Sequence, residues 1–133
     1  MICSLFLFSL IFFSPISGKS KFHFYGNLGC PLDCFTYHVE VWEEDFFEKS
    51  DDLLTNQTET CSFRPHKYQV SAEDTDDGLD FLRKFEIYMV IYHNCTRTGS
   101  IKKFRYNWGK YNIDVHEVNE SKDLDLGDQG EEV

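Results

Sequence analysis

The most strongly patterned part of the chain is Lys84-Phe85-Glu86-Ile87-Tyr88-Met89-Val90-Ile91-Tyr92. Apolar side chains fill both sets of alternate positions, from Phe85 to Ile91 on one face and from Tyr88 to Tyr92 on the other. A period of two residues is typical of a β-strand, and apolar side chains on both faces are typical of a strand that is covered on both sides. The sequence therefore predicts a central strand of a sheet at residues 84–92.

Alternating patterns recur on both sides of this strand. Between Thr36 and Trp42 the valines take one face, whereas His38, Glu40 and Trp42 take the other. Shorter stretches with the same period lie at residues 22–25, 58–63, 67–71, 101–108 and 111–118. About six or seven short strands at this spacing, without an amphipathic helix of useful length, predict an all-β antiparallel sandwich or barrel.

The chain is short and acidic, with 133 residues and a formal net charge of -10. Such a charge repels nucleic-acid phosphates, so we expect no nucleic-acid partner. Aromatic residues make up 17% of the chain, which argues against global disorder. The acidic residues concentrate after Trp42, after Ala72 and at residues 119–133, and this last stretch is predicted to be a solvated C-terminal tail.

The first 20 residues are predicted to be a secretory signal peptide. The apolar run from Leu5 to Phe13 is far shorter than the roughly 20 residues that a membrane-spanning helix needs. Gly18 and Ser20 are small residues suited to cleavage after either of them. We therefore expect a secreted, extracellular protein that does not span a membrane, with its folded domain at residues 21–118.

Removal of this segment discards Cys3 and leaves four cysteines: Cys30, Cys34, Cys61 and Cys95. An even number of cysteines in a small secreted domain indicates two disulfides. Three connectivities are compatible with four cysteines, and the residues alone do not choose among them.

Three sequons agree with export, at Asn56, Asn94 and Asn119. Each is followed two residues later by Ser or Thr, without an intervening Pro. All three are candidate N-glycosylation sites. Asn94 is the doubtful one, because a disulfide at its neighbour Cys95 would hide it.

Three motifs in order carry a family resemblance. They are Gly26-Asn27-Leu28-Gly29-Cys30, then Val39-Glu40-Val41-Trp42-Glu43-Glu44-Asp45 followed by Asp51-Asp52-Leu53-Leu54, and finally Ile91-Tyr92-His93-Asn94-Cys95. Over roughly residues 21–112 the chain resembles the nematode transthyretin-like family of secreted proteins. The resemblance implies a transthyretin-like antiparallel β-sandwich of about seven strands. It also implies that Cys30 pairs with Cys95, which leaves Cys34 to pair with Cys61.

The C-terminal region departs from the pattern of that family. Asp125-Leu126-Gly127 is followed by Asp128-Gln129-Gly130-Glu131-Glu132, which is too acidic for a core strand. The last strand of the sandwich is therefore expected to be absent or replaced, leaving an exposed edge strand. Such an edge leaves open a homodimer formed through it.

The sequence shows no signature of catalysis or of metal binding. A Gly-x-Ser-x-Gly elbow is absent, and so is the C-terminal Tyr-Arg-Gly-Ser signature of 5-hydroxyisourate hydrolase, an enzyme with the transthyretin fold. The acidic clusters lack the spacing of a calcium loop, and His93 is expected to make local hydrogen bonds at a strand end. We expect no catalytic residue, no metal and no cofactor; a hydrolase of that type and a purely structural or diverged secreted protein remain the alternatives.

One local feature suggests a binding surface. Basic and aromatic residues interleave in Lys102-Lys103-Phe104-Arg105-Tyr106, and Trp42 lies opposite the valine face of its own strand. The candidate binding residues are Trp42, Lys102, Lys103, Arg105 and Tyr106. The resemblance to the transthyretin-like family implies extracellular recognition of a cell-surface protein, a lipid head group or a small hydrophobic ligand, and interleaved basic and aromatic residues could contact phosphate head groups or an acidic partner. The alternative is an edge strand that lysines protect from aggregation.

Overall fold

The computed structural model of the protein describes residues 19–45, 51–75 and 84–133. Residues 1–18, most of the expected signal peptide, lie outside the described residues. The described part of the chain is all-β, and it contains no helix long and apolar enough to cross a membrane. The all-β prediction is confirmed.

Ten strands follow one another along the described chain. They are β1 (Lys19–Gly29), β2 (Cys34–Glu43), β3 (Asp52–Asn56), β4 (Thr60–Phe63), β5 (Lys67–Thr75), β6 (Lys84–His93), β7 (Lys102–Asn112), β8 (Glu117–Ser121), β9 (Leu124–Asp125) and β10 (Glu131–Glu132). Sheet I has the order β5-β1-β8, and β9 also pairs with β1. Sheet II has the order β10-β7-β6-β2-β3, and β4 also pairs with β2.

The strand predicted at residues 84–92 is central to sheet II. β6 pairs antiparallel with β2 on one side and with β7 on the other. Tyr88 and Val90, on one face, and Met89 and Ile91, on the other, are all buried. The prediction of a strand covered on both sides is therefore confirmed.

One hydrophobic core joins the inner faces of the two sheets. Phe22 and Phe24 of β1 enter it from sheet I, and Val39 and Met89 enter it from sheet II. Trp108 of β7 stacks on Phe24 with ring centroids 4.1 Å apart, so the two sheets are in direct contact. Burial of each large apolar side chain contributes roughly 1.5–3 kcal/mol to folding. The arrangement fits a β-sandwich.

The prediction of a solvated tail at residues 119–133 is wrong. β8 begins at Glu117 and runs parallel to β1, and β9 continues along the same strand. Leu124 and Leu126 are 5% and 0% exposed, in the core. Their carboxylate neighbours point outward, so a stretch that is acidic on average still supplies apolar side chains at alternate positions. The folded domain therefore extends beyond the boundary expected at residue 118.

The start of the domain also differs from the expected boundary. Lys19 and Ser20 are already part of β1, opposite Thr75 and Asp74 of β5. The Ser20 side chain is buried, and its hydroxyl donates a hydrogen bond to the carbonyl of Val115. Cleavage after Ser20 would remove this contact, whereas cleavage after Gly18 would keep it.

The exposed edge strand is confirmed, and it is β7. β10 pairs with β7 only at Lys102 and Lys103. Within the described chain, residues 104–112 have no strand partner on the side away from β6. The last strand of the described chain, β10, is two residues long and covers only the start of an otherwise open edge.

Candidate recognition surface

The disulfide implied for Cys30 and Cys95 is present. It joins the loop after β1 to the turn after β6, across a sequence separation of 65 residues. Bridges that close a loop of this length stabilise small domains by about 2–4 kcal/mol. A disulfide is also compatible with an extracellular protein.

The second implied disulfide is wrong for this structure, because Cys34 and Cys61 are exposed free thiols. Their strands do pair, but Cys34 lies opposite Phe63 and Cys61 lies opposite Thr36. The two cysteines are therefore diagonal neighbours in the ladder, where Cα atoms are about 7–8 Å apart. That separation exceeds the usual range for a disulfide.

His93 holds the strand end next to the disulfide, as expected. Its Nε2 donates to the carbonyl of Gln129 at 2.8 Å, and its Nδ1 accepts from the backbone N–H of Cys95 at 3.1 Å. Burial lowers the pKa of this imidazole, partly opposed by the hydrogen bond to Gln129. A neutral histidine that uses both ring nitrogens locally is a structural group here.

The outer face of sheet II presents a row that crosses three strands. Trp42 of β2 lies opposite Tyr88 of β6, with ring planes 5° apart and centroids separated by 6.4 Å. The Arg105 guanidinium of β7 covers the other face of Tyr88, 3.7 Å from the ring centroid. A cation at this distance is attracted to an aromatic face, so Trp42, Tyr88 and Arg105 form one continuous stack.

A second row runs parallel to the first. His38 and Tyr92 stack with centroids 4.5 Å apart and planes 8° apart, and Lys103 lies directly opposite Tyr92. Glu40 connects the two rows, because it accepts a hydrogen bond from the Trp42 indole N–H at 3.1 Å and lies 3.8 Å from His38 Nε2. We call the surface made by both rows the aromatic face; it consists of His38, Trp42, Tyr88, Tyr92, Lys103 and Arg105.

Carboxylates fix the edges of the aromatic face. Tyr88 donates its hydroxyl hydrogen to Asp51 at 2.7 Å, and burial followed by this hydrogen bond raises the Tyr88 pKa. Arg105 lies 3.3 Å from Glu44. Tyr88 is only 8% exposed, whereas Trp42 and Tyr92 are half-buried and Arg105 is exposed. The stack is therefore held rigidly while parts of its rings and its cation face outward.

The structure divides the five predicted binding residues into two groups. Trp42, Lys103 and Arg105 lie together on the aromatic face. Lys102 donates to the carbonyl of Asp128 at 3.0 Å, and Tyr106 packs edge-on against Trp108 on the inner side of β7. Alternation along the strand separates them, since neighbouring residues point to opposite faces.

Three members of the aromatic face were not among the predicted residues: His38, Tyr88 and Tyr92. From the sequence alone, Tyr88 and Tyr92 are predicted only to form the second apolar face of a buried strand. The sequence feature that could have identified them is a shared spacing: His38 and Trp42 are four residues apart on β2, and Tyr88 and Tyr92 are four residues apart on β6. This spacing indicates a shared surface only if β2 and β6 are known to be paired strands.

The other histidines lie apart from the aromatic face. His66 is buried between Ser62, at 2.9 Å, and the carbonyl of Leu32, at 2.8 Å. His23 contacts Ser71 on the outer face of sheet I. Within the ranges described, no group of three or more His, Cys, Asp or Glu side chains could hold a metal ion.

The sequons differ in their surroundings. Asn56 and Asn119 are exposed. The Asn94 side-chain oxygen accepts from the backbone N–H of Thr36 at 2.8 Å, and the Thr96 hydroxyl donates to the carbonyl of Ser100 at 2.8 Å. In the Asn94 sequon, both side chains that glycosylation requires, Asn94 and Thr96, are therefore hydrogen-bonded within the fold.

Comparison with protein families places this chain in a known group. Residues 26–130 match the family described as Caenorhabditis elegans protein of unknown function (DUF870). The chain belongs to this family. The DUF870 match covers both disulfide cysteines, the whole aromatic face and the C-terminal stretch as far as Gly130, and the family is a nematode one. A search of curated proteins finds no match.

Proposed function

We propose that this DUF870 protein is a secreted, transthyretin-like β-sandwich that recognises an extracellular partner through the aromatic face. The proposal assigns the surface to binding and gives no residue a catalytic role. The partner class that we favour is a cell-surface protein.

The observation that carries the proposal is the stack of Trp42, Tyr88 and Arg105 across three strands. Tryptophan, tyrosine and arginine are the residues most enriched among those that dominate binding energy at protein interfaces. Here they are pre-ordered by Glu40, Glu44 and contacts with one another, so little side-chain entropy is lost when a partner docks. Leu53 lies opposite Trp42 at the edge of this surface and is 47% exposed.

Secretion is supported by the N-terminal sequence, by the exposed sequons and by the Cys30–Cys95 disulfide. The transthyretin-like assignment is supported by the ordered motifs and by two sheets that share one core. A hydrolase of the hydroxyisourate type needs histidine and arginine side chains in one channel. In the described chain His66 and His93 are used structurally. His38 and Arg105 share the aromatic face, but His38 stacks on Tyr92 and Arg105 covers Tyr88, which favours binding over hydrolysis.

The test is quantitative capture by the chain expressed in a secreting eukaryotic host. Wild-type protein, Trp42→Ala and Arg105→Ala are each incubated with biotinylated nematode surface extract, crosslinked and analysed by mass spectrometry. Tyr25→Ala is the matched control, because Tyr25 is an aromatic residue that is 43% exposed on the outer face of sheet I. Circular dichroism of each variant verifies the fold.

The proposal expects at least one surface protein to be captured by wild type and by Tyr25→Ala and lost with both aromatic-face variants. Liposomes of zwitterionic and of anionic composition form a separate arm. Binding to liposomes alone would assign the face to lipid. Capture that is identical for all variants would refute the proposal.

A further inference from the structure

The open edge of β7 is a second surface, which borders the aromatic face and shares Lys103 and Arg105 with it. We propose that it binds an acidic, extended segment of a partner protein as an additional strand of sheet II. Edge strands expose main-chain N–H and C=O groups, and strand addition to such an edge is a recurrent mode of peptide recognition.

β7 already accepts one short acidic strand. Glu131 and Glu132 of β10 lie opposite Lys103 and Lys102, in antiparallel register. The chain approaches β7 so closely before this pair that a Cβ on Gly130 would lie 2.5 Å from the Lys103 carbonyl oxygen. The pairing of β10 with β7 is therefore an intramolecular example of the strand addition that we propose for the rest of this edge, at residues 104–107.

The charge of β7 selects the partner. This strand carries four basic residues and no acidic one. Among the other strands with an open edge, the charged residues of β3, β8, β9 and β10 are all acidic, β5 has two acidic residues and one lysine, and β4 has no charged residue. Opposite charges across a strand pair are favourable and like charges are unfavourable. An acidic segment therefore fits β7 better than any other open edge of the described chain.

The same charge disfavours a homodimer through β7. Two copies paired edge to edge about a two-fold axis would place basic β7 against basic β7. The register shift between Ile87 and Tyr88 also leaves Trp108 as an extra residue of β7, which bends the strand beyond Asn107. These features protect against self-pairing and leave the regular stretch from Phe104 to Asn107 for a partner of opposite charge.

The inner side of β7 is incompletely covered, which also favours an added strand. Phe104, Tyr106 and Trp108 are half-buried, whereas Met89 and Ile91 on the neighbouring β6 are fully buried. The Trp108 indole N–H is buried and has no acceptor among the described residues. An incoming strand with apolar side chains at alternate positions would cover this aromatic side. A carboxylate on its other face would meet Arg105, close to Lys103, which already lies opposite Glu131.

The probe is a fluorescein-labelled peptide of alternating valine and glutamate, eight residues long and blocked at both ends. The matched probe alternates valine and lysine. Binding to the folded, secreted protein is measured by fluorescence anisotropy at low and high salt. The net charge of -10 favours the lysine probe overall, so a preference for the glutamate probe must come from a local basic surface.

We expect saturable binding of the glutamate peptide that weakens with salt, and about tenfold weaker binding to Lys103→Gln/Arg105→Gln. Lys21→Gln/Lys67→Gln is the control, because it removes the same charge from exposed positions of sheet I. Tyr25→Ala should bind this peptide like wild type, because Tyr25 lies on the outer face of sheet I, away from β7. Hydrogen exchange of the backbone amides of residues 104–107 should slow when the glutamate peptide is added.

Three results would overturn the proposal. One is equal or stronger binding of the lysine peptide, and a second is the absence of saturable binding up to millimolar peptide. The third is protection of residues 104–107 that grows with protein concentration in the absence of peptide, since this would make a second copy the occupant, for instance through its acidic β8.

Discussion

Individual side chains of this protein have roles that depend on their position in the strand ladder. Lys102 and Lys103 are adjacent and chemically identical, yet Lys103 lies on the aromatic face and Lys102 binds the carbonyl of Asp128. Composition and motif identify such residues as candidates. Only register decides which of them share a face.

Cys34 and Cys61 should both be reactive thiols in the folded protein. We expect maleimide to modify both without denaturant or reductant, because both are exposed and unpaired. Cys30 and Cys95 should resist modification until the protein is reduced and unfolded. Peptide mapping of the labelled protein provides the measurement, and a Cys34–Cys61 linked peptide in the untreated protein would contradict the assignment.

Glu43 should make stability depend on pH. It ends β2 in sheet II and hydrogen-bonds through its side chain to Asp74 of β5 in sheet I. Burial, followed by the hydrogen bond and charge of Asp74, raises the pKa of Glu43 from 4.5 to about 9. At pH values between 4.5 and about 9, Glu43 keeps its proton in the folded protein but loses it in the unfolded chain. The contribution of Glu43 to the free energy of unfolding is therefore complete below pH 4.5 and is lost as the pH rises to about 9.

The variant Glu43→Gln keeps a hydrogen-bonding group without a titrating proton. We therefore expect it to melt about 4 °C or more above wild type at pH 8.5, and at the same temperature as wild type at pH 4. Glu59→Gln, at an exposed position, is the control and should shift neither melting temperature. A shift of Glu43→Gln that is equal at both pH values would show that the effect is not due to titration.

Glycosylation should distinguish the three sequons. Asn56 and Asn119 are exposed and should carry glycan when the chain is secreted from a eukaryotic host, whereas Asn94 should not, because its side-chain oxygen binds the N–H of Thr36. Intact mass before and after glycosidase, with site mapping, gives the occupancy. Glycan at Asn94 would mean that this hydrogen bond forms after glycosylation or not at all.

Elements with strong alternation were predictable from the sequence, and those with weak alternation were not. β2 and β6 carry apolar residues at every second position over a full strand length, so each can be recognised as a strand from its own sequence alone. β8 and β9 contribute few buried apolar side chains, chiefly Val118 and Leu124, among carboxylates. The acidic composition of this stretch masked the alternating pattern of β8 and β9, which form strands because they pair with β1.

The C-terminal stretch should therefore contribute strongly to stability. Leu126→Ala should lower the free energy of unfolding by about 2–5 kcal/mol, because Leu126 is 0% exposed and its removal leaves a cavity. Leu32→Ala makes the same change at a position that is 41% exposed and should cost less than about 1 kcal/mol. Urea denaturation of both variants measures their free energies of unfolding. A small and equal loss of stability in the two variants would indicate that the C-terminal stretch is a solvated tail.

At the scale of the whole molecule, the fold class followed from the spacing of apolar residues, whereas the proposed recognition surface did not. The aromatic face draws on β2, β6 and β7, which are far apart in sequence and become neighbours only in sheet II. Single-strand patterns identified Trp42, Lys103 and Arg105, because each was conspicuous within its own strand. His38, Tyr88 and Tyr92 join them through cross-strand stacking, which no single-strand pattern reports.

The whole molecule also separates its charges. Its two open surfaces of interest, the aromatic face and the β7 edge, contain the basic residues Lys103 and Arg105, while the chain carries a net charge of -10. A local basic surface on an acidic body orients an encounter with a partner of opposite local charge.

The central claim is that the aromatic face is the recognition surface of this protein. Its most direct test is saturation binding of fluorescently labelled, secreted protein to intact nematode cells, comparing wild type, Trp42→Ala and Tyr25→Ala by flow cytometry. The account predicts that Trp42→Ala raises the dissociation constant about tenfold or more, whereas Tyr25→Ala leaves it unchanged. Equal dissociation constants for wild type and Trp42→Ala, with both proteins folded, would contradict it.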